Sequence, residues 1–239
     1  MHLVIDQGNT HVKLAVFEQD RLLDCQTHAE LNDEIIQSFI AQYTIQKGIF
    51  SSVKKENHTE LLKKYNLIHF SSVTPLPLSI NYKTPTTLGL DRIAAVAGAQ
   101  QKYSNTNVLV IDMGTCITYD FIDDKGVYWG GSISPGLQMR FKAMHHYTDQ
   151  LPLVAFNKEK LKLIGDTTEN AIQSGAYYGI EAEINGVIQQ YMQKHDGLQI
   201  IITGGDGNLF DIAPKNRIFA DEFLVLKGLN EIINYNDKN

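Results

Sequence analysis

Residues 3–8 of the chain read LVIDQG and residues 109–114 read LVIDMG, so one aliphatic run with its aspartate occurs twice. Such a run, rich in β-branched residues, is typical of a buried strand, and the glycine that closes it is typical of a tight turn. Asp6 and Asp112 therefore fall where a strand becomes a turn, with each carboxylate expected to point away from the core. Two such units predict duplicated halves that each present one carboxylate to a shared cleft. This arrangement suits ATP bound as its Mg²⁺ complex, because Mg²⁺ prefers oxygen ligands.

The bulk composition is that of an ordinary globular protein. The 239 residues are 43% hydrophobic and 20% charged, enough to bury a substantial core. A net charge of −6 argues against a nucleic-acid partner, since a phosphate backbone needs a basic surface. No run approaches the roughly 18 apolar residues of a membrane helix, and the first residues enter a strand rather than a signal peptide. Cys25 and Cys116 lack metal-type spacing, so reduced thiols in a cytoplasmic protein are expected.

The periodicity of the first half predicts an N-terminal lobe over residues 1–106. Its expected strands are 2–6, 11–17, 21–28, 48–53 and 67–71. Its expected helices are 31–43, 56–65 and one that begins near Leu90. That last helix is rich in small residues, which permit close backbone packing.

The second half repeats this plan and predicts a C-terminal lobe over residues 107–239. Its expected strands are 107–112, 115–123, 126–133 and 198–203. Its expected helices are 135–147, 157–163, 167–194 and a short last helix. Asp166 is the expected N-cap of the long helix, on which Ala171, Gly175 and Gly179 recur every four positions and predict a close helix contact. The repeated order β-β-β-α-β-α-β predicts an α/β fold with two ribonuclease-H-like lobes around a central nucleotide cleft.

The first candidate site is the hairpin Asp6-Gln7-Gly8-Asn9-Thr10, followed by Lys13 on the returning strand. Gly8 allows backbone N–H groups to approach an anion, and the Asn9 and Thr10 side chains add donors. Lys13 can reach a phosphate as a point charge. The alternative is an ordinary Gly-Asn hairpin whose aspartate only bonds to the turn. The second LVID unit favours phosphate binding.

The second candidate site is Asp112-Met113-Gly114-Thr115, which offers another carboxylate and another hydroxyl at a strand end. A turn aspartate is common, so this motif alone carries little weight. The chain has no GxxxxGK[ST] sequence, and ATP is therefore expected at paired hairpins rather than at a P-loop. The turn Thr203-Gly204-Gly205 resembles the close-approach turns that accommodate adenosine in doubled folds of this kind.

The third candidate site is Gly89-Leu90-Asp91-Arg92 at the start of the small-residue helix. The helix dipole stabilises an aspartate in the first turn, so a structural role for Asp91 is one interpretation. The adjacent Arg92 opposes the dipole and favours a functional one. Asp91 would take a proton from a hydroxyl while the Arg92 guanidinium binds an anionic substrate.

Taken in order, these motifs resemble those of type III pantothenate kinases over nearly the whole chain. The matching segments are Asp6-x-Gly8-Asn9-Thr10-x-x-Lys13, Gly89-x-Asp91-Arg92, Asp112-x-Gly114-Thr115, Gly130-Gly131-x-Ile133-x-Pro135-Gly136, Thr168-x-x-Ala171-Ile172-x-Ser174-Gly175 and Thr203-Gly204-Gly205. Three positions depart from the family pattern: Cys116 stands where Ala is usual, Thr167 where Asn is usual, and Asp221-Glu222-Phe223 lacks a proline.

The resemblance implies an acetate/sugar kinase–actin type fold, a homodimer and ATP-dependent phosphorylation of pantothenate at its 4′-hydroxyl, the first step of coenzyme A biosynthesis. It implies that Asp91 is the catalytic base, and that Asp6 lies close to Mg²⁺. It implies that Asp112 binds an activating K⁺ or NH₄⁺. The implied ATP contacts are Asp6, Gln7, Gly8, Asn9, Thr10, His11, Val12, Lys13 and Thr115. The implied pantothenate contacts are Tyr82, Gly89, Leu90, Asp91, Arg92 and Thr168, drawn from both subunits.

Two other functions stay open from the sequence. One is a kinase of the same superfamily that acts on a sugar or another small alcohol. The other is a non-catalytic accessory protein that keeps the fold and binds nucleotide without turnover. The presence of Asp6, Asp91 and Asp112 favours catalysis.

Overall fold

The first aliphatic run lies in the central strand of a five-stranded sheet. The strands are β1 (His2–Gln7), β2 (Val12–Glu18), β3 (Arg21–His28), β4 (Lys47–Ser52) and β5 (Leu67–His69). Their spatial order is β3-β2-β1-β4-β5. The pairs β1–β2 and β2–β3 are antiparallel, whereas β1–β4 and β4–β5 are parallel. Leu3, Val4 and Ile5 have no exposed surface, so the interpretation of this run as a buried strand is confirmed.

The second aliphatic run also lies in an interior strand, within a six-stranded sheet. The strands are β6 (Ser79–Ile80), β7 (Val108–Met113), β8 (Cys116–Ile122), β9 (Val127–Pro135), β10 (Gln199–Thr203) and β11 (Ile218–Ala220). Their spatial order is β11-β10-β7-β8-β9-β6. Leu109, Val110 and Ile111 of β7 are fully buried, so the interpretation of this second run as a buried strand is also confirmed.

The helices follow the predicted order with two differences. The computed structural model describes residues 1–54, 58–212 and 217–238. Its α-helices are α1 (Asp33–Ile40), α2 (Thr59–Lys64), α3 (Leu90–Lys102), α4 (Leu137–His146), α5 (Thr168–Lys194) and α6 (Leu224–Lys238). The predicted helix at 157–163 is wrong, since only Lys158–Lys160 form a 3-10 turn. The last helix is not short but has 15 residues. The helix predicted at 56–65 begins partly outside the described residues.

The N-terminus of α5 differs from the prediction in its capping residue. The N-cap is Thr167, whose hydroxyl accepts a hydrogen bond from the Asn170 backbone N–H at 3.1 Å. Asp166 instead accepts hydrogen bonds from the side chains of Lys162 and Asn170. Asp166 is therefore not the cap, because its carboxylate is already engaged beside the helix.

Compactness divides the chain into two units. The first comprises Met1–Thr106, Asp120–Gly130 and Phe223–Asn239, and the second comprises Asn107–Tyr119 and Gly131–Glu222. The strands β8 and β9 therefore have residues in both units. The lobes predicted at 1–106 and 107–239 follow the repeat in the sequence rather than compactness, and that division stays a prediction. No helix in the described ranges is both long enough and apolar enough to span a membrane.

Within the first unit, α6 packs closely against α3. A Cβ on Gly228 would lie 1.7 Å from the carbonyl oxygen of Ala94, and one on Gly98 would lie 2.5 Å from that of Leu224. The two backbones can approach this far only because both contact positions are glycine. The expectation that the small residues of α3 permit close packing is confirmed. The helix that carries Asp91 and Arg92 is therefore held by the C-terminal segment.

Candidate active site

The hairpin between β1 and β2 brings Asp6 and Lys13 side by side. The backbone N–H of Gly8 donates to the His11 carbonyl at 3.0 Å and closes the turn. Asp6 and Lys13 are direct partners in the antiparallel register, so their side chains leave the same face of the sheet. A carboxylate and an ammonium at one hairpin mouth can hold a metal-bound phosphate between them.

The other hairpin residues divide between the core and the surface. Gln7 is buried, and its side-chain oxygen accepts a hydrogen bond from the Ser52 hydroxyl at 2.8 Å. Val12 is also buried, and Asn9, Thr10 and His11 are exposed. The exposed turn is free to contact a ligand, while Gln7 and Val12 fix its shape from within. Ser52, which anchors Gln7, was missed by sequence reasoning because its partner lies 45 positions earlier.

The second hairpin holds Asp112 against the turn that follows β10. Asp112 pairs in register with Thr203, and Gly204 follows with a φ of 89°. A Cβ on Gly204 would lie 2.5 Å from the Asp112 Oδ1 atom and 2.5 Å from the Met113 carbonyl oxygen. Only glycine adopts this φ at so close an approach without strain. The structure therefore joins two motifs that the sequence placed about 90 positions apart.

Asp206 is a further carboxyl group beside this hairpin. Its backbone N–H donates to the Met113 carbonyl at 3.0 Å, which ties the 203–206 turn to the 112–114 turn. Burial raises the pKa of Asp206 above its usual value. The sequence signal was available, since Asp206 directly follows the Gly-Gly pair, but nothing local marked it as close to Asp112.

The two predicted cation ligands fit different kinds of ion. The described residues contain no cluster of three or more His, Cys, Asp or Glu side chains that could hold a metal by itself. Mg²⁺ bound with a nucleotide needs only one or two carboxylates, because water and phosphate oxygens complete its shell. Asp6 fits that requirement. Asp112 Oδ1 and the Met113 carbonyl oxygen both lie against Gly204, and oxygen ligands of this kind suit a hard cation.

A partly buried ionic cluster fixes the segment that packs on Thr115. The Gly136 N–H donates to the Thr115 carbonyl at 3.1 Å, and Arg140 Nε donates to the Pro135 carbonyl at 2.9 Å. Arg140 also pairs with Glu183 of α5, which accepts a hydrogen bond from the Tyr119 hydroxyl. Thr115 itself is exposed, so its hydroxyl is available to a ligand.

Hydrogen bonding sets the charge state of Glu183 in this cluster. Burial alone would raise the pKa of Glu183, but hydrogen bonds from Ser134, Arg140 and Tyr119 lower it below its usual value. The carboxylate therefore stays ionised at neutral pH and keeps the Arg140 guanidinium in place.

Asp91 lies in the first turn of α3, as the sequence predicted. Its Oδ1 atom accepts a hydrogen bond from the Arg92 backbone N–H at 2.9 Å. Gly89 is the N-cap, and a Cβ there would lie 2.5 Å from the same oxygen. Asp91 is partly exposed, and so are Gly89 and Leu90. A carboxylate held at a helix N-terminus with one open side can accept a proton from a bound hydroxyl.

Arg92 is buried and paired with a carboxylate that the sequence analysis did not single out. Its Nε and Nη2 atoms lie 2.9 and 2.7 Å from Asp120 Oδ1, and Asp120 has no exposed surface. Burial alone would lower the pKa of Arg92, but the hydrogen bond and charge of Asp120 raise it. The guanidinium therefore forms an ion pair within the protein, which the sequence did not indicate. Asp120 interrupts the apolar segment 119–122, which was the available signal.

Tyr82 packs against Tyr128, which is a second partner of Asp120. The Tyr82 and Tyr128 rings stack with centroids 6.5 Å apart and planes 20° apart. The Tyr128 hydroxyl donates to Asp120 Oδ1 at 2.5 Å. Burial and the nearby Asp120 charge raise the pKa of Tyr128. Gly89 to Arg92, Tyr82 and Asp120 thus form one connected group within the first unit.

Thr168 stands at the first position of α5 and is exposed. The same helix exposes the small residues Ala171 and Gly175, and the preceding loop exposes Leu163 and Ile164 by 70% and 83%. No atom lies within 4 Å of a Cβ built on Gly175. At Gly175 the predicted close contact is therefore not made by the described part of the chain, whereas Gly179 lies beside Arg140, whose Nη1 atom would be 3.5 Å from a Cβ there.

Residues 2–190 match a family model described as type III pantothenate kinase. A type III pantothenate kinase of Phocaeicola vulgatus is 44% identical over 242 residues, and the alignment covers 100% of both chains. This similarity spans all of the motifs described above.

Solved structures with lower sequence identity share the fold. A Campylobacter jejuni protein described as a candidate transcriptional activator of the Baf family is 24% identical with a TM-score of 0.62, and the match covers 99% of this chain and 100% of that one. A ROK family glucokinase from Streptomyces griseus is 12% identical with a TM-score of 0.53, and the match covers 99% of this chain and 100% of that one. The predicted acetate/sugar kinase–actin type fold is confirmed.

Proposed function

The chain belongs to the type III pantothenate kinase family, and from this premise we propose that it transfers a phosphoryl group from ATP to the 4′-hydroxyl of pantothenate. This reaction is the first step of coenzyme A biosynthesis. The observation that carries the proposal is the full-length similarity to a pantothenate kinase together with the partly exposed Asp91 at the start of α3.

Asp91 acts as the general base in this proposal. Phosphoryl transfer depends mainly on alignment and on neutralisation of charge, and the protein supplies a proton acceptor for the attacking hydroxyl. The Arg92 N–H and the first turn of α3 hold the Asp91 carboxylate in one orientation. The open side of this carboxylate receives the hydroxyl of the substrate.

ATP is assigned to the hairpin residues Asp6 to Lys13 and to Thr115. Mg²⁺ held at Asp6 and K⁺ or NH₄⁺ held at Asp112 would offset negative charge on the triphosphate. Lys13, the direct cross-strand partner of Asp6, adds a positive charge at the same hairpin mouth. The tight Gly204 turn fixes the Asp112 carboxylate for its cation.

Pantothenate is assigned to Tyr82, Gly89 to Arg92 and Thr168. The substrate carries a carboxylate, and Arg92 is the cation nearest in sequence to the proposed base. Asp120 neutralises part of the Arg92 charge but also holds the guanidinium in a fixed orientation. The aromatic ring of Tyr82 gives an apolar wall on the same unit.

A homodimer is part of the proposal, with the α5 face of Ala171 and Gly175 as its contact. Small exposed residues beside the exposed Leu163 and Ile164 form an apolar surface that a second copy can cover. Gly175→Leu should shift the protein from dimer to monomer in light scattering, because a Cβ there meets nothing within the chain. Gly186→Leu is the matched control, since that glycine on the same helix is also unobstructed.

We place the enzyme in the cytoplasm, without a nucleic-acid or membrane partner. The net charge of −6 and the presence of only two cysteines support this placement. The accessory-protein alternative loses support because Asp6, Asp91 and Asp112 are all present.

The direct test is a coupled assay of ADP release with pantothenate and ATP, with and without K⁺. Turnover that requires pantothenate and increases with K⁺ would support the whole assignment. Turnover with a sugar or another small alcohol in place of pantothenate would favour the second kinase hypothesis. ATP binding without turnover on any acceptor would favour the accessory protein.

A further inference from the structure

Asp120 is a buried carboxylate that connects Arg92 with Tyr128, the tyrosine on which Tyr82 stacks. It has no exposed surface, and its Oδ1 atom accepts hydrogen bonds from Arg92 Nε at 2.9 Å and from the Tyr128 hydroxyl at 2.5 Å. A single oxygen with two donors fixes the angle between those donors. Arg92 and Tyr128 are therefore oriented together rather than separately.

The orientation of the Tyr128 ring also determines that of the Tyr82 ring. The Tyr82 ring lies stacked on the Tyr128 ring and reaches over Gly130, which has a φ of 87°. A Cβ on Gly130 would lie 2.8 Å from two carbons of the Tyr82 ring. Tyr82 is thus held between the Tyr128 ring and a backbone position that admits no side chain.

Stability alone does not explain a charge at this position. A buried ion pair costs desolvation energy, and well-packed apolar residues often replace one without loss of stability. The pair at Asp120 lies in the core directly behind the first turn of α3, which carries Asp91. The raised pKa of Arg92 means that the guanidinium stays charged across the pH range of any assay.

We propose that Asp120 is a positioning residue for pantothenate binding. Asp120 fixes the orientation of Arg92 through the ion pair and the orientation of Tyr82 through Tyr128. This inference rests on the proposed function, because it takes Arg92 and Tyr82 as pantothenate contacts. Asp120 does not touch the substrate, since it is fully buried. Its effect is on the affinity for the acceptor and not on the binding of ATP.

The test compares steady-state kinetics of Asp120→Asn and Tyr128→Phe with those of the unmodified enzyme. Asp120→Asn should raise KM for pantothenate about tenfold or more and leave KM for ATP within about twofold, since a charge-assisted hydrogen bond to Arg92 is lost. Tyr128→Phe removes only one hydroxyl and should raise KM for pantothenate by roughly three- to tenfold. In the Asp120→Asn background, Tyr128→Phe should have no further effect, because its hydroxyl acts through that carboxylate.

Asp123→Asn is the matched control. Asp123 directly follows β8, the strand that contains Asp120, and accepts hydrogen bonds from Trp129 Nε1 and from the Val127 N–H. None of these hydrogen bonds involves Arg92 or Tyr128. Its loss should lower the melting temperature without a change in either KM. Equal losses of melting temperature in Asp120→Asn and Asp123→Asn, with both KM values unchanged, would overturn the inference.

Each of the remaining outcomes also supports or overturns the inference. Should Asp120→Asn fail to fold, Tyr128→Phe carries the test, and an unchanged KM for pantothenate in that variant would overturn the inference. A parallel rise of KM for ATP would likewise overturn it, since general damage and not positioning would be the cause. If the unmodified enzyme turns over pantothenate and the variants keep its KM, only this inference fails. If the unmodified enzyme does not use pantothenate, the proposed function itself fails.

Discussion

Gly228→Ala should destabilise the protein although alanine is the better helix former. Within a helix, replacement of glycine by alanine gains about 1 kcal/mol of intrinsic propensity. At Gly228 the new methyl group would lie 1.7 Å from the Ala94 carbonyl oxygen, a backbone atom that cannot rotate away. Helices α3 and α6 would have to separate by about 1.7 Å to restore an ordinary contact.

The expected loss in the free energy of unfolding follows from these two opposing effects. Overpacking of a tight contact costs about 1–3 kcal/mol and occasionally more, and a backbone clash of this depth belongs at the upper end. After the gain in propensity, a net loss of about 2 kcal/mol remains. For a chain of this size, that loss corresponds to a melting temperature lower by roughly 4–8 °C.

Gly186→Ala is the matched control for this prediction. Gly186 lies inside α5, and a Cβ there meets no atom within 4 Å, so only the gain in propensity applies. Its melting temperature should rise by roughly 2–4 °C. Thermal unfolding followed by circular dichroism measures both variants. Equal melting temperatures would refute the close α3–α6 contact.

Three further predictions concern the site. Asp91→Asn should lower kcat by roughly 10²–10⁴ in the coupled assay, and an unchanged kcat would remove Asp91 from the chemistry. Asp112→Ala should abolish activation by K⁺ relative to Na⁺, and retained activation would place that ion elsewhere. Because the pKa of Glu183 is lowered on folding, its contribution to stability should be complete above about pH 4.3 and lost as the pH falls through the lower folded value. Melting temperatures from pH 3 to 8 should therefore show the enzyme and Glu183→Gln converging in acid, and a constant difference would contradict the lowered pKa.

Chemical features that depend on neighbours in the chain could be predicted from the sequence. The two LVID runs became interior strands, and Gly8 closed its hairpin as expected. The helix that begins at Leu90 placed Asp91 in its first turn. These outcomes follow from local periodicity, turn chemistry and the position of a helix start.

Partners distant in sequence could not be predicted. Arg92 was expected to bind an anionic substrate, and nothing near it in the chain indicated its buried partner Asp120, which lies 28 positions later. The last helix was expected to be short, yet α6 has 15 residues and packs on α3 in the first unit. Its apolar spacing gave no information about which helix it would meet.

The amino-acid order alone therefore determined where strands turn and which carboxylates stand at their ends, because those features are set by a few adjacent residues. Only the tertiary structure decided which buried charges are paired and which glycines are obligatory. Pairing and close approach depend on surfaces that meet in space, and burial makes their energy large only once the chain has folded.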